Sequence, residues 1–285
     1  MEFRISTWNC FGMGQGLDAI RAARAPVPAR FSHHSVIAEC ASPDVMCIQE
    51  LLSRDAEMFF DKLGGHGLSS CFRDHNRAQW SPATMRGSGL GIASRRTLEK
   101  TSVTKFAPPS VGWDRLARKG ALYTQITLEN AVDLDILNVH LQAGYDAAAI
   151  AVRTRQLISV RTLIAQVGAR ERPFIVCGDF NVDGLEAARG SDEYRRLVDA
   201  LAGFEDLGAA SDLPTFHPHL EGNTLALRYE PEGSTQRLDY VFFRRAVVGE
   251  ASRFEHHSLR RILDQPLGAH LFASDHFGLT GSFAF

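Results

Sequence analysis

Asp179 and Asn181 stand two residues apart in the string GDFN, directly after the apolar run FIVCG. In an extended segment residues two apart point to one face, so a carboxylate and an amide address the same spot. Comparable placements recur along the chain. Asn9 ends FRISTWN, Glu50 ends DVMCIQE and His140 ends VDLDILNVH; Asp239 interrupts RLDYVFF, and Asp275 and His276 precede the last apolar run in the string SDH. A single Asn at a strand end reads as a turn cap, and a lone His beside an apolar strand as a satisfied core side chain. Recurrence changes that reading, because polar groups that each flank a buried strand converge where sheet edges open into a cleft. Their chemistry is that of oxygen ligands for a hard cation and of imidazoles that titrate near neutrality.

Short apolar runs alternating with helical stretches must position these groups. FRISTWN (3–9), DVMCIQE (44–50), SGLGIAS (88–94), ALYTQITLE (121–129), VDLDILNVHL (132–141), FIVCG (174–178), RLDYVFF (237–243) and FGLTGSFAF (277–285) read as strands. HSVIAECAS (34–42), RDAEMFFDKLG (54–64), Asp146 to Val167, and SDEYRRLVDAL (191–201) capped by Ser191 read as helices. The pattern is α/β without the regular rhythm of a nucleotide-binding sheet, and the hairpin of 121–129 with 132–141 predicts a largely antiparallel arrangement. No Gly, Pro or Ser-rich linker divides the chain, so residues 1–285 are read as a single domain. Two long stretches, 65–87 and 95–120, read as loops, which in a compact domain are usually functional or disordered.

Composition narrows the classes. Of 285 residues 45% are hydrophobic and 22% charged, as in a globular protein rather than a disordered chain. Lys and Arg number 31 against 33 Asp and Glu, a net charge of −2 that lacks the basic excess usual for tracking nucleic-acid backbone. No stretch reaches the roughly 18 apolar residues of a membrane span. The start MEFRISTWNCFGMGQG lacks a basic region followed by an apolar one, which predicts a cytoplasmic protein, with secretion the alternative if a signal was removed. Five cysteines, none at C-x-x-C spacing, predict buried free thiols rather than disulfides or a zinc site.

Taken together, TWN (7–9), CIQE (47–50), NVHLQAG (138–144), GDFN (178–181), RLDYVF (237–242) and SDH (274–276) resemble the endonuclease/exonuclease/phosphatase superfamily, in the family's order and across nearly the whole chain. The resemblance implies a four-layer α/β sandwich: two mixed, largely antiparallel sheets face to face, flanked by helices, with a divalent-metal phosphodiesterase site at one end. Within the superfamily the chain is most similar to the bacterial neutral sphingomyelinase branch. NVHLQAG followed by VRTRQL (152–157), ARKGALYTQI (117–126), and NTLALRYEPEGSTQRLDYVF (223–242) carry that similarity.

The residues take roles consistent with this. Mg²⁺ (or Mn²⁺ or another divalent cation) prefers oxygen and needs only one or two protein carboxylates, so Glu50 is expected as the main ligand, with Asn9 through its carbonyl oxygen and Asp275 as a further contact. A cation there would neutralise the scissile phosphate and stabilise the leaving oxygen. His276 is expected as general base, Asp239 as the holder of its other ring nitrogen. His140, with Lys119 or Arg118, donates to phosphate oxygens. Asp179 and Asn181 share proton handling and the oxyanion contact; Asp179 either protonates the leaving alkoxide or orients the water. Arg73, Arg77 and Arg86 are read as solvated loop cations.

The leading expectation is therefore a monomeric, sphingomyelinase-like phospholipase C acting on sphingomyelin or a related phospholipid at a membrane surface. The alternatives are a metal-dependent nuclease on the same scaffold and a non-catalytic binding module, the latter disfavoured because no motif position carries an inert residue. Trp80, Phe106 and Trp113 are expected to ring the cleft where lipid is met. HHSLRR (256–261) is expected as a solvated helix face, with a small anion-binding or lipid-headgroup patch as the alternative.

Overall fold

The structure, a computed structural model, describes residues 2–12, 27–74, 87–115, 118–268 and 271–284. In chain order its elements are β1 (Glu2–Asn9), α1 (Val27–Ser32), α2 (His34–Cys40), β2 (Val45–Gln49), α3 (Arg54–Gly65), β3 (Ser70–Arg73), β4 (Gly91–Ser94), β5 (Glu99–Lys105), β6 (Gly120–Thr127), β7 (Asp133–His140), α4 (Ala147–Val167), β8 (Phe174–Asp179), α5 (Asp192–Ala200), β9 (Glu205–Asp206), α6 (Thr224–Tyr229), β10 (Asp239–Arg244), β11 (Glu255–Ile262) and β12 (Gly278–Ala284). Side-chain oxygens of Ser53, Asp146, Ser191 and Asn223 start α3 to α6 by accepting the backbone N–H three residues on.

Two six-stranded sheets form, ordered β11-β12-β1-β2-β4-β3 and β5-β6-β7-β8-β10-β9. Each is mixed: β1 with β2 and β7 with β8 are parallel, and the other pairs are antiparallel. The sheets stack with helices outside, giving the four-layer sandwich. Strand alternation sorts the side chains. Ile5, Cys47, Ile136, Cys177 and Val241 enter the core between the sheets. Their neighbours Met46 and Ile48 pack against α2 and α3, while Leu137, Val176 and Phe242 share a core with α4 and α5. Central strands buried on both faces read as unbroken apolar runs, which is why FIVCG and VMCIQ were legible. Rings reinforce the inter-sheet core, with Phe283 stacked on Phe254 at 5.1 Å and edge-on to Phe243 at 5.2 Å.

The same parity builds the site. Asn9 continues the inward series of β1, Gln49 that of β2, His140 that of β7, Asp179 that of β8 and Asp239 that of β10. All lie at one end of the sandwich and point between the sheets. Beneath them a buried polar layer ties the sheets together. Gln49 Nε2 donates to Asn138 Oδ1 at 2.6 Å and Thr7 Oγ1 at 3.0 Å, and Asn138 Nδ2 donates to the carbonyls of Ile48 and Gly91.

Several expectations are corrected. The stretch 65–87 carries β3, which pairs with β4, and 95–120 carries β5, which pairs with β6; their polar composition hid them because both are edge strands. HHSLRR is no helix face but part of β11, an edge strand on β12 whose alternating exposure reads as helix-neutral polar sequence. Arg73 is not solvated: it pairs with Glu57 at 3.0 Å and Asp61 at 2.9 Å. Phe106 lies in the core of α4 and α5 rather than at the cleft rim. Cys71 is exposed; Cys10, Cys40, Cys47 and Cys177 are buried free thiols as expected. Arg77, Trp80 and Arg86 lie outside the described residues.

Candidate active site

Register fixes the heart of the site. Asp179 is the Cα partner of His140 on one side, across the parallel β7–β8 pair, and of Asp239 on the other, across antiparallel β8–β10. Gly178 makes this closeness feasible: its φ is +136° and a Cβ there would stand 1.9 Å from the Val139 carbonyl oxygen. Only glycine fits such an approach. Just beyond, Asn181 takes φ +53°, and its backbone N–H donates to Asp179 Oδ1 at 2.9 Å while its amide donates to the Leu141 carbonyl.

Asp179 is fully enclosed and multiply held. Asn9 Nδ2 donates to its Oδ2 at 2.9 Å, and His140 Nε2 lies 3.4 Å from the same oxygen. Burial alone would raise its pKa, but the hydrogen bond from His140 and the charges of His276, His140 and Lys119 outweigh that and hold it well below the usual carboxylate range. Asn9 Oδ1 accepts the Phe11 N–H at 3.0 Å, closing a turn in which Phe11 takes φ +46°.

His276 sits opposite. Its Nδ1 is 2.8 Å from Asp239 Oδ2, and Phe216 tilts against its ring at 5.4 Å. Burial works to lower the imidazole pKa, but Asp239, through charge and hydrogen bond, with Asp275 and Asp179, raises it to about 10. Asp239 itself is raised by burial, partly offset by His276. Thr215 Oγ1 accepts the N–H groups of Leu238 and Asp239, and Trp8 Nε1 donates to the His276 carbonyl, so both partners are fixed from behind.

Glu50 turns out of β2 with φ +63°, and Gly12 passes so close that a Cβ would meet its carbonyl oxygen at 2.4 Å. Its Oε1 is 3.9 Å from His140 Nε2. The other carboxylate oxygen, Oε2, is buried without a hydrogen-bond partner, as is Oδ1 of Asp239. Burial raises Asp275 to about 6, against the charge of His276 and with that of Glu50. Crowded, unsatisfied carboxylate oxygens of this kind are the donor set a hard divalent cation takes up. A further group of ligating type exists, since atoms of Asp179, Asp239 and His276 lie within 4.8 Å of one another.

Lys119 and Arg118 separate. Arg118 is exposed. Lys119 is 4% exposed, its ammonium 2.5 Å from His140 Nε2 and paired with Asp114 Oδ1 at 3.3 Å. Lys119 thus reaches the cleft through His140. Asp114 and Gln142 escaped the sequence reading. Gln142 exchanges hydrogen bonds with the backbone of Val111 and donates to Asp114 Oδ2, which also accepts from the Ala143 N–H. Gln156 and Arg153, on α4, hold the backbone of Gln142 and Gly144. The only signal for this weld was the string HLQA followed by RTRQL; Trp113 belongs to the 3-10 turn Gly112–Arg115 that it anchors.

The described side chains lining the cleft include Asn9, Glu50, His140, Asp179, Asn181, Asp275 and His276, with Phe11, Phe216 and Tyr229 as apolar walls. No helix among the described residues is long and apolar enough to cross a membrane.

Solved structures share this architecture. Sphingomyelinase C from Streptomyces griseocarneus superposes with a TM-score of 0.71 at 18% identity, covering 99% of both chains. A beta toxin variant from Staphylococcus aureus with bound magnesium ions gives 0.73 at 16% identity, again over 99% of both. D. rerio TDP2 complexed with a single-strand DNA product gives 0.72 at 20% identity, over 100% of this chain and 99% of that one. No curated protein matches the sequence. A profile for the Endonuclease/Exonuclease/phosphatase family matches residues 6–276, and the chain belongs to that family of phosphoesterase-type hydrolases.

Proposed function

We propose that the protein is a Mg²⁺-dependent phospholipase C-type phosphodiesterase that hydrolyses sphingomyelin or a related phospholipid to a lipid alcohol and a phosphorylated headgroup. The observation that carries the lipid reading is the make-up of the cleft wall. Among its described lining residues there is no Lys or Arg, while carboxylates and the rings of Phe11, Phe216 and Tyr229 are present. Such a wall suits one phosphodiester on an apolar body better than a run of phosphates, which calls for a positive groove.

The chemistry follows from the side chains. Glu50, Asn9 and Asp275 would hold the cation, which supplies charge neutralisation at the phosphate and the leaving oxygen. His276 takes a proton from the attacking water at Nε2, and Asp239 holds Nδ1 and stabilises the imidazolium that forms. Asp179 stays ionised under its hydrogen bonds and orients water, and the leaving alkoxide takes its proton from solvent water to give the lipid alcohol. His140 and Asn181 would donate to the phosphate oxygens.

The test is parallel release of phosphocholine from sphingomyelin vesicles and nicking of supercoiled DNA, each with Mg²⁺ and with chelator. Mg²⁺-dependent phosphocholine release without nicking is expected. Nicking without lipid turnover transfers the reading to the nuclease alternative, which the likeness to a DNA-bound TDP2 keeps in view.

A further inference from the structure

Arg30 is the unexpected cation of this end of the molecule. It lies on α1, far in sequence from every motif residue, and is fully buried. Its Nη1 donates to the carbonyl of Cys10 at 3.2 Å and to that of Ala273, and its Nη2 donates to the carbonyl of Phe11 at 2.9 Å. Those carbonyls belong to two turns. One follows Asn9; the other leads into Ser274, Asp275 and His276. Burying a guanidinium costs several kcal/mol unless its donors are well used, and here they are used to join the two turns that carry the candidate cation ligands and base. α1 packs on α3 through the stack of Phe31 and Phe59 at 5.0 Å, and the Arg30 guanidinium lies 5.0 Å from the Phe31 ring while its donors turn to the two loops.

We propose that Arg30 is a positioning residue for the active site. Its planar fork locks the Asn9 turn to the Ser274–His276 turn, which holds Asn9 against Asp179 and Asp275 beside Glu50. Ser274 makes the second tie between the same turns, its hydroxyl donating to the Asn9 carbonyl at 2.7 Å. A lysine keeps the charge but presents one nitrogen in place of a fork, so it cannot hold the Phe11 carbonyl while also reaching those of Cys10 and Ala273. The inference rests on the metal-dependent hydrolase reading above.

The experiment compares wild type with Arg30→Lys, Arg30→Ala and Ser274→Ala. Two readouts are used: turnover of a short-chain soluble phosphodiester, and the Mg²⁺ concentration that half-maximally raises the melting temperature. Misplacement of reacting groups lowers kcat steeply, so a loss of about 10- to 100-fold is expected in both Arg30 variants, with KM little changed. The half-maximal Mg²⁺ concentration rises several-fold. Millimolar guanidinium, but not ammonium, restores part of the kcat of Arg30→Ala. Ser274→Ala shifts the Mg²⁺ midpoint in the same direction through its own contacts with Asn9, Asp275 and His276; should Arg30→Lys and Arg30→Ala not fold, Arg30→Gln, which keeps a donor, decides the matter. Variants that melt lower yet keep wild-type kcat and Mg²⁺ midpoint overturn the proposal, leaving Arg30 a stability residue. If wild type hydrolyses no substrate, the functional reading fails while the melting arm still judges Arg30. If wild-type melting ignores Mg²⁺, both fall.

Discussion

Asp239 and Asp179 are register partners across β8 and β10, yet their carboxyl groups are driven apart: Asp179 well below its ordinary range, Asp239 above it. Both are buried, so burial is not the difference. Asp179 gathers Asn9, the Asn181 N–H and His140 around it, whereas Asp239 relies on His276 and, more weakly, Thr215, faces the charge of Asp179, and leaves its Oδ1 without a hydrogen-bond partner. Neighbouring acids with divergent environments mark a division of labour in acid–base sites. Here one carboxylate faces the cleft as a fixed anion, and the other serves the imidazole.

The first prediction concerns that imidazole. His276 must be neutral to accept a proton, and Asp239 raises its pKa, so Asp239→Asn is expected to move the acidic limb of the kcat/KM profile to lower pH. Stability carries the same signature without added metal. The folded value of about 10 exceeds the unfolded 6.5, so the charged pair's contribution is complete below pH 6.5 and is lost as pH climbs through 10. Melting temperatures of wild type should therefore fall more steeply over that window than those of His276→Gln. An acidic limb unmoved in Asp239→Asn would contradict the pairing.

The second concerns the cation. Glu50→Gln keeps the shape of the side chain and removes its charge at a strand end outside the packed core. Bound at about 100 times its Kd, a cation adds roughly 2.7 kcal/mol to stability. Wild type should thus melt higher with Mg²⁺, while Glu50→Gln should keep its metal-free melting temperature, lose the Mg²⁺ increment and lose turnover. Undiminished Mg²⁺-dependent turnover in the variant removes Glu50 from the ligand set.

A third prediction separates scaffold from chemistry inside one motif. In RLDYVF, Arg237 is fully buried and forks onto Asp206, with donor–acceptor distances of 2.8 and 2.7 Å, while its guanidinium lies over the Tyr240 ring at 4.4 Å. Removing one member of such a pair leaves a buried charge unmatched and costs about 3–5 kcal/mol. Urea titration of Arg237→Met should show a loss of that order, with kcat of the folded fraction near wild type. A large fall in kcat at unchanged stability would instead make Arg237 part of the active machinery.

The polar groups at this end of the strands were legible because each interrupts a pattern: Asn9, His140, Asp179 and Asp239 stand on the inward parity of otherwise apolar strands. Central strands were legible for the same reason. Arg30, Asp114 and Ser274 were not, because their work is done through backbone carbonyls and N–H groups, which leave no periodicity. Edge strands β3, β5 and β11 were missed because one open side lets polar residues stand where a central strand needs apolar ones. Lys119 was read as a substrate contact; its burial against His140 and Asp114 arises from a turn that only the Gln142 weld defines.

That weld leads to the last prediction. Gln142 and Asp114 bind the turn Gly112–Arg115 to the strand that ends in His140, so the turn carrying Trp113 is coupled to the reacting groups. Phe106 is committed to the core, and Trp113, carried by the turn Gly112–Arg115, is the aromatic we propose to meet lipid. Trp suits a boundary that is apolar on one side and wet on the other. Trp113→Ala is expected to lower turnover on sphingomyelin vesicles while sparing a short-chain soluble phosphodiester, since only interfacial binding is lost; vesicle flotation should show the same loss directly. On a nuclease the substitution would leave no such split, and exposed Arg118, rather than buried Lys119, would carry the salt dependence of DNA binding. Equal losses on vesicle and soluble substrates would assign Trp113 to the support of the turn and end the interfacial reading.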